Sequence, residues 1–185
     1  KINKSDSAIN LLFIGVDWNK KGGDLLLSIY TQIRKISNKY TLDVVGSSPD
    51  KIPIIDGVTF QGFLDKSVKK ENNKLTSLFQ NSHYFLLPTK AEAFGIVFCE
   101  ANSYGLPTFG SDLGGIPDII KNGVNGELID ITKSPKELAQ QIHNYITSGD
   151  YNEKSLRAFN HYQENFTWDK SIEKVNKVLT KLIQE

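Results

Sequence analysis

Short apolar runs alternate along the chain with segments of helical periodicity, and this alternation limits the fold more than any other feature. The apolar runs that read as buried strands lie at 10–16, 42–45, 58–60, 84–87, 108–110 and 126–129. The segments between them that place apolar residues at helical spacing are 22–37, 69–81, 95–104 and 114–121. Such alternation is typical of a parallel sheet. We therefore predict an α/β domain, a Rossmann-like parallel sheet with helices on both faces.

Three further helices are predicted to close the chain and to pack alongside the sheet. Ser134, Pro135 and Glu137 form the capping-box pattern that begins the first of them. Thr167 caps the last helix, whose apolar residues recur at helical spacing as far as Ile183. The pattern divides the chain into a polar linker (1–9), a main domain (10–165) and a C-terminal helix (166–185).

Composition excludes several classes of function. The 185 residues suffice for one domain with an ample core, and the net charge of +1 gives no field for a nucleic acid partner. Cys99 is the single cysteine, which suits a reducing compartment. No apolar run approaches the roughly 20 residues that cross a bilayer. We expect a cytoplasmic protein, with any membrane association confined to the full-length protein.

Ligands of open parallel sheets bind at the carboxyl ends of the strands. After the fourth predicted strand, Glu92 lies in a loop and Gly95 opens a helix that carries Glu100. A helix N-terminus suits a phosphate, and a glycine there allows close approach. Glu100 lies about 7.5 Å further along the helix axis. Taken alone, both could be ordinary surface carboxylates, but the apolar neighbours of Glu100 predict a buried helix and hence a partner for it.

Two other glycine-containing loops follow predicted strands. Lys20 and Lys21 precede the pair Gly22–Gly23 and could neutralise phosphate charge, or they could lie in a solvated turn. Gly114–Gly115 is equally consistent with a turn that binds an anion and with an ordinary loop between a strand and a helix.

Histidine and cysteine spacing predicts no metal site. His83, His143 and His161 are scattered and read as surface or core-edge residues. Neither the zinc-binding spacings nor an Asp-x-Asp motif occurs, so we expect neither a zinc nor a dedicated magnesium site, and no cofactor.

Together these motifs resemble the donor-binding domain of the retaining glycosyltransferases with the GT-B fold, family 4. The resemblance runs from about Asn10 to the C-terminus. The matching positions are Lys21-Gly22, Gly46, Gly62, Pro88-Thr89, Glu92 to Gly95, Glu100-Ala101, Gly105 to Pro107, Gly114-Gly115 and Asn122 to Gly126. Glu92 and Glu100 reproduce the Glu-x(7)-Glu pattern of this family.

The resemblance implies roles for individual residues. Lys21 would bind the donor diphosphate and Glu92 the hydroxyls of the donor sugar, and these two are the expected catalytic residues. Glu100 would hold the ribose hydroxyls. The other implied donor-binding residues are Gly15, Lys20, Gly46, Phe63, Leu64, Thr89, Ala93, Phe94, Gly95 and Ile96. Val16 stands where the family often has a phosphate-binding arginine, and Lys20 could substitute for it.

The implied activity is transfer of a hexosyl unit, with retention of configuration, from a UDP- or GDP-sugar to an acceptor in glycan or glycolipid biosynthesis. The implied partners are that nucleotide sugar and a missing N-terminal acceptor domain, which the last helix would cross back to meet and which would make any membrane contact. The chain alone would then be inactive. Two alternatives stay open: a sugar-nucleotide epimerase of the same architecture, and a non-catalytic nucleotide-binding module.

Overall fold

A computed structural model describes residues 8–46, 48 and 54–184 of the chain. Within this part, one sheet contains β1 (Ile9–Gly15), β2 (Tyr40–Gly46), β3 (Val58–Gly62), β4 (Tyr84–Leu87), β5 (Thr108–Ser111) and β6 (Gly126–Ile129). All six predicted strands are confirmed. Most of the predicted linker (1–9) lies outside the described residues, and Ile9, assigned to it, already belongs to β1.

The sheet is parallel throughout, with the strand order β3-β2-β1-β4-β5-β6. The chain builds outward from β1 on one side, then returns and builds outward from β4 on the other. This order is the doubly wound arrangement of Rossmann folds, in which the loops after the two central strands leave in opposite directions and open a crevice. The fold therefore places the position at which such sheets bind their ligands between the carboxyl ends of β1 and β4.

Helices cover both faces of the sheet, which confirms the predicted α/β class. They are α1 (Gly23–Ile36), α2 (Lys69–Asn81), α3 (Ile96–Ser103), α4 (Ile116–Ile119), α5 (Pro135–Thr147), α6 (Tyr151–Asn165) and α7 (Trp168–Gln184). Helix α1 packs on α5, and α3 packs on α6. The predicted capping box at Ser134 is present, with the Glu137 N–H donating to Ser134 Oγ.

The core follows from the strand order. Every residue of β4 is buried, and so is the centre of β1. Strands covered on both faces need continuous apolar sequence rather than alternation, which is why these two read as unbroken apolar runs. The edge strands β3 and β6 are only partly covered.

A buried amide pair explains one motif of the resemblance without invoking a ligand. Asn125 Nδ2 donates to Asn102 Oδ1 (2.7 Å) and to the Ile119 carbonyl (2.9 Å), and Asn125 Oδ1 accepts from the Lys121 N–H (2.7 Å). Asn102 in turn donates to the Leu106 carbonyl (2.8 Å). Asn125 therefore ties the loop before β6 to the end of α3.

Helix α7 carries an uncovered apolar stripe, made of the residues whose helical spacing the sequence shows. Trp168 is 84% exposed. The other exposed apolar residues of this helix are Ile172, Val175, Val178, Leu179, Leu182 and Ile183. Among the described residues, no helix has both the length and the apolar composition needed to cross a membrane.

We expect Asn125→Ala to lower the free energy of unfolding by roughly 2–4 kcal/mol, because it leaves buried polar groups of Asn102, Ile119 and Lys121 without their partner. Urea denaturation measures this cost. Asn160→Ala, at an exposed position of α6, is the matched control and should change stability by less than about 0.5 kcal/mol. Equal effects of the two substitutions would contradict the structural role of Asn125.

Candidate functional site

The crevice between β1 and β4 brings together two charged side chains that are far apart in sequence. Lys21 Nζ lies 2.6 Å from Glu92 Oε2, and 71 positions separate the two residues. Their side chains are only 19% and 15% exposed. Partial burial weakens solvent screening, so this pair is stronger than an ion pair on the open surface.

The loop after β1 presents Lys21 in a defined position. The aliphatic part of Lys21 lies over Gly15, where an added Cβ would be 2.8 Å from Lys21 Cγ. The Lys21 N–H donates to the Asp17 carbonyl (2.8 Å). Trp18 covers Gly23 and donates from Nε1 to Asp24 Oδ1 (2.8 Å). The lysine is thus placed by the fold before any ligand arrives.

This loop is joined directly to the loop after β4. The Lys20 carbonyl accepts from the Lys90 N–H (2.8 Å) and from Thr89 Oγ1 (3.1 Å). Gly22 has a φ of 74°, and a Cβ at that position would lie 1.9 Å from the Pro88 carbonyl oxygen. Only glycine permits both this conformation and this approach. The separation of Lys21 from Glu92 is therefore set by backbone contacts.

The start of helix α3 lies beside the ion pair. Gly95 precedes the helix with a φ of 97°, and a Cβ there would be 3.4 Å from Glu92 Cγ and 2.8 Å from Phe98 Cδ2. The first N–H groups of a helix have no intrahelical acceptor and carry partial positive charge. With the Lys21 ammonium nearby, this end of α3 has the features of an anion-binding site.

The end of β5 and the loop after it pack against the loop that carries Glu92. The Gly115 N–H donates to the Ala93 carbonyl (3.1 Å), and Ser111 Oγ donates to the Thr89 carbonyl (2.7 Å). A Cβ on Gly114 would be 2.0 Å from the Glu92 carbonyl oxygen. Of the two interpretations of Gly114–Gly115, these contacts favour a supporting loop.

Glu100 has a partner that sequence reasoning missed. Lys66 Nζ lies 2.5 Å from Glu100 Oε1, and the Glu100 side chain is 29% exposed. The expectation of a buried helix holds for Phe98, Cys99, Ala101 and Asn102. Ile96, at the start of the helix next to Gly95, is instead 73% exposed. Nothing in the sequence distinguishes Lys66 from the other lysines near it.

The remaining predicted residues lie at the same edge of the sheet. Gly46 is the register partner of Gly15 at the ends of β2 and β1. Phe63, 65% exposed, and the partly buried Leu64 directly follow β3. The predicted site residues of the other loops that are exposed are Val16, Lys20, Ala93 and Phe94. The structure thus gathers the predicted residues at one edge, with Val16 and Lys20 exposed and Lys21 half-buried.

The histidines lie elsewhere. His83 precedes β4, at the opposite edge of the sheet, and His143 on α5 is hydrogen-bonded through Nδ1 to the Tyr40 hydroxyl (2.8 Å). His161 lies on α6, and burial lowers its pKa below the ordinary value. In residues 8–46, 48 and 54–184, no group of three or more His, Cys, Asp or Glu is arranged to hold a metal ion.

The family model described as glycosyl transferases group 1 matches residues 1–166. The chain belongs to this family. Among curated relatives, an uncharacterised 41.2 kDa protein from the cps region of Klebsiella pneumoniae is 31% identical over 132 residues, covering 69% of this chain and 34% of its own. The D-inositol 3-phosphate glycosyltransferase of Thermobifida fusca is 22% identical and covers 94% of this glycosyltransferase chain and 42% of its own.

Solved structures of other glycosyltransferases share the fold. The pneumococcal O-GlcNAc transferase GtfA, in complex with UDP and GlcNAc, aligns with a TM-score of 0.72 at 18% identity, covering 98% of this chain and 38% of its own. Anabaena HepE in complex with UDP-glucose aligns with a TM-score of 0.74 at 19% identity, covering 94% of this chain and 49% of its own. These neighbours have the GT-B architecture, and the group 1 chain spans about a third to a half of the length of its relatives.

We expect Gly22→Ala to destabilise the protein far more than Gly123→Ala. Both glycines have positive φ, 74° and 75°, so both variants incur the backbone cost of about 1–2 kcal/mol. Only at Gly22 does the new methyl group meet backbone, since nothing lies within 4 Å at Gly123. Urea denaturation of the two variants should differ by at least about 1 kcal/mol. Equal losses would show that the two loops are not docked as described.

Proposed function

We propose that this group 1 glycosyltransferase chain is the donor-binding part of a retaining hexosyltransferase that uses a UDP- or GDP-sugar. The observation that carries the proposal is the half-buried pair of Lys21 and Glu92, 2.6 Å apart, at the start of helix α3. A cation and a helix N-terminus together suit a diphosphate, and an adjacent carboxylate suits sugar hydroxyls.

In this proposal the diphosphate lies against the first N–H groups of α3, at Gly95 and Ile96, with Lys21 as its counter-ion. The leaving group of glycosyl transfer gains negative charge as the bond to the sugar breaks. A cation and backbone dipoles already in position stabilise that charge without reorganising during the reaction. Lys21 and the helix start supply this counter-charge in the proposal, which therefore assigns no metal ion to the domain.

Glu92 accepts hydrogen bonds from the donor sugar, and Glu100 accepts them from the ribose. Glu100 lies five positions after Gly95, about 7.5 Å further along the axis of α3. Phe63 and Leu64, which follow β3, contact the base through their backbone. This order of contacts places the sugar, the diphosphate and the nucleoside along the edge of the sheet. Two neighbours, solved in complex with UDP and GlcNAc and with UDP-glucose, support a ligand of this class.

The acceptor site belongs to an N-terminal half outside this chain, and the chain alone is inactive in this proposal. Its share of its relatives' length, about a third to a half, supports a missing half. The exposed apolar stripe of α7 is the surface that would cross back and be covered by that half. We place the whole enzyme in the cytoplasm, in glycan or glycolipid biosynthesis.

A thermal-shift panel tests the class of ligand. At concentrations near one hundred times Kd, UDP or GDP should stabilise the chain by about 2.7 kcal/mol, a rise in Tm of roughly 5–10 °C. NAD should give no shift, because its diphosphate carries a nicotinamide riboside where the proposed site takes a hexosyl unit. ADP serves as the third nucleotide, to separate a preference for the base from simple diphosphate binding. A chain that none of these compounds stabilises would be a non-catalytic module, and the proposal would be wrong.

Replacement of Lys21 by Met should weaken binding of the nucleotide by at least about ten-fold, because a charge-assisted contact to phosphate is lost. Calorimetry measures the affinity. The double variant Lys21→Met/Glu92→Gln removes the carboxylate left without its partner and separates a loss of binding from a loss of stability. Lys136→Met, at an exposed position of α5, is the control for the change in net charge. Unchanged affinity in both Lys21 variants would rule out the phosphate contact.

A further inference from the structure

Both carboxylates of the site have a lysine partner from a neighbouring loop. Glu92 pairs with Lys21 from the loop after β1, and Glu100 pairs with Lys66 from the loop after β3. An unpaired Glu100 would repel a diphosphate bound at Gly95, about 7.5 Å away along the helix axis. Because the pair of Lys66 and Glu100 has no net charge, it removes that repulsion. Lys66 therefore affects binding of the diphosphate, although it lies on the surface.

We propose that Lys66 is a positioning residue: its ammonium holds Glu100 Oε1 so that the other carboxylate oxygen faces the ribose hydroxyls of the nucleotide. This inference rests on the proposed function, since it assumes that Glu100 binds the ribose. A carboxylate accepts several hydrogen bonds at once, so a bond from Lys66 leaves Glu100 able to accept others. Lys66 itself need not touch the ligand.

The loop that carries Lys66 is held on both sides of that residue. Asp65 Oδ1 accepts from the Ser67 N–H (2.8 Å), and Glu71 Oε2 accepts from the Asp65 N–H (2.6 Å). The bonds from Ser67 also lower the pKa of Asp65 below its ordinary value. Because Glu71 lies in the first turn of α2, the backbone around Lys66 is anchored to that helix. Only the lysine side chain must then be ordered to reach Glu100, which reduces the entropic cost of the pair.

The exposed fractions of the Lys66 and Glu100 side chains indicate which of the two is oriented by the other. The Lys66 side chain is 57% exposed, whereas that of Glu100 is 29% exposed. Glu100 extends from a helix anchored in the core by Phe98, and Lys66 approaches it from solvent. An exposed pair of this kind contributes little to stability. Its effect should therefore appear in the orientation of the carboxylate and not in the melting temperature.

The test compares ribonucleotides with their 2′-deoxy counterparts. The probe is whichever of UDP, GDP and ADP raises Tm most, paired with dUDP, dGDP or dADP, and affinities are measured by calorimetry. In the unmodified chain the ribonucleotide should bind about ten-fold more tightly, the size of one well-placed hydrogen bond to a charged group. Lys66→Met should reduce this ratio to about two-fold, with Tm unchanged within roughly one degree.

Three further variants make the result specific. Lys66→Arg keeps a cationic donor and should restore most of the ratio. Glu100→Ala should bring the ratio of ribonucleotide to deoxynucleotide affinity to about one. Adding Lys66→Met to Glu100→Ala should not change this ratio further, because the two residues act as one unit. Lys70→Met, an exposed lysine in the first turn of α2, removes the same charge nearby and should leave the ratio intact.

The outcomes separate this inference from the proposal on which it rests. If no nucleotide binds the unmodified chain, the donor site and the role of Lys66 both fail. If nucleotides bind but Lys66→Met leaves the ratio unchanged, only the role of Lys66 fails. Equal weakening of ribo- and deoxynucleotides by Lys66→Met would also overturn the positioning role, since it would show that Lys66 acts on binding only through its charge and not through the orientation of Glu100.

Discussion

Reversal of the strand order between β1 and β4 is the constraint on which the rest of the structure depends. Because the chain winds outward in both directions from these two strands, their carboxyl ends border an opening that no crossover covers. Lys21 follows one strand and Glu92 follows the other, so their 2.6 Å contact is a direct product of the topology. Because of this reversal, the Lys21–Glu92 pair, the start of α3 and the supporting loop after β5 lie together at the same edge of the sheet.

Close backbone contacts turn this topology into a defined geometry. At Gly22 and Gly114, backbone of the neighbouring loop occupies the space that a side chain would need. The loops can therefore approach each other within hydrogen-bonding distance, as the bond from the Lys90 N–H to the Lys20 carbonyl shows. Charged groups held in this way are oriented before a ligand binds, which is the condition for effective electrostatic stabilisation.

Charge balance links the two halves of the proposed site. Two carboxylates beside an anion-binding helix start would disfavour a diphosphate, yet each has a lysine from a different loop. The positive end of the helix dipole then adds to the Lys21 ammonium at the place where phosphate is proposed to bind.

The sequence by itself determined the strands, the class of fold, the capping box at Ser134 and the set of residues at the carboxyl edge, because periodicity, glycine and capping residues act locally. The apolar stripe of α7 was also readable from its spacing, whereas its exposure was implied only by the family resemblance. Only the tertiary structure decided which lysine meets which carboxylate. Lys66 and Glu100 are 34 positions apart in elements that no local pattern relates. Exposure of Ile96 likewise depends on which face of α3 the sheet covers, and the buried role of Asn125 depends on a partner 23 positions away.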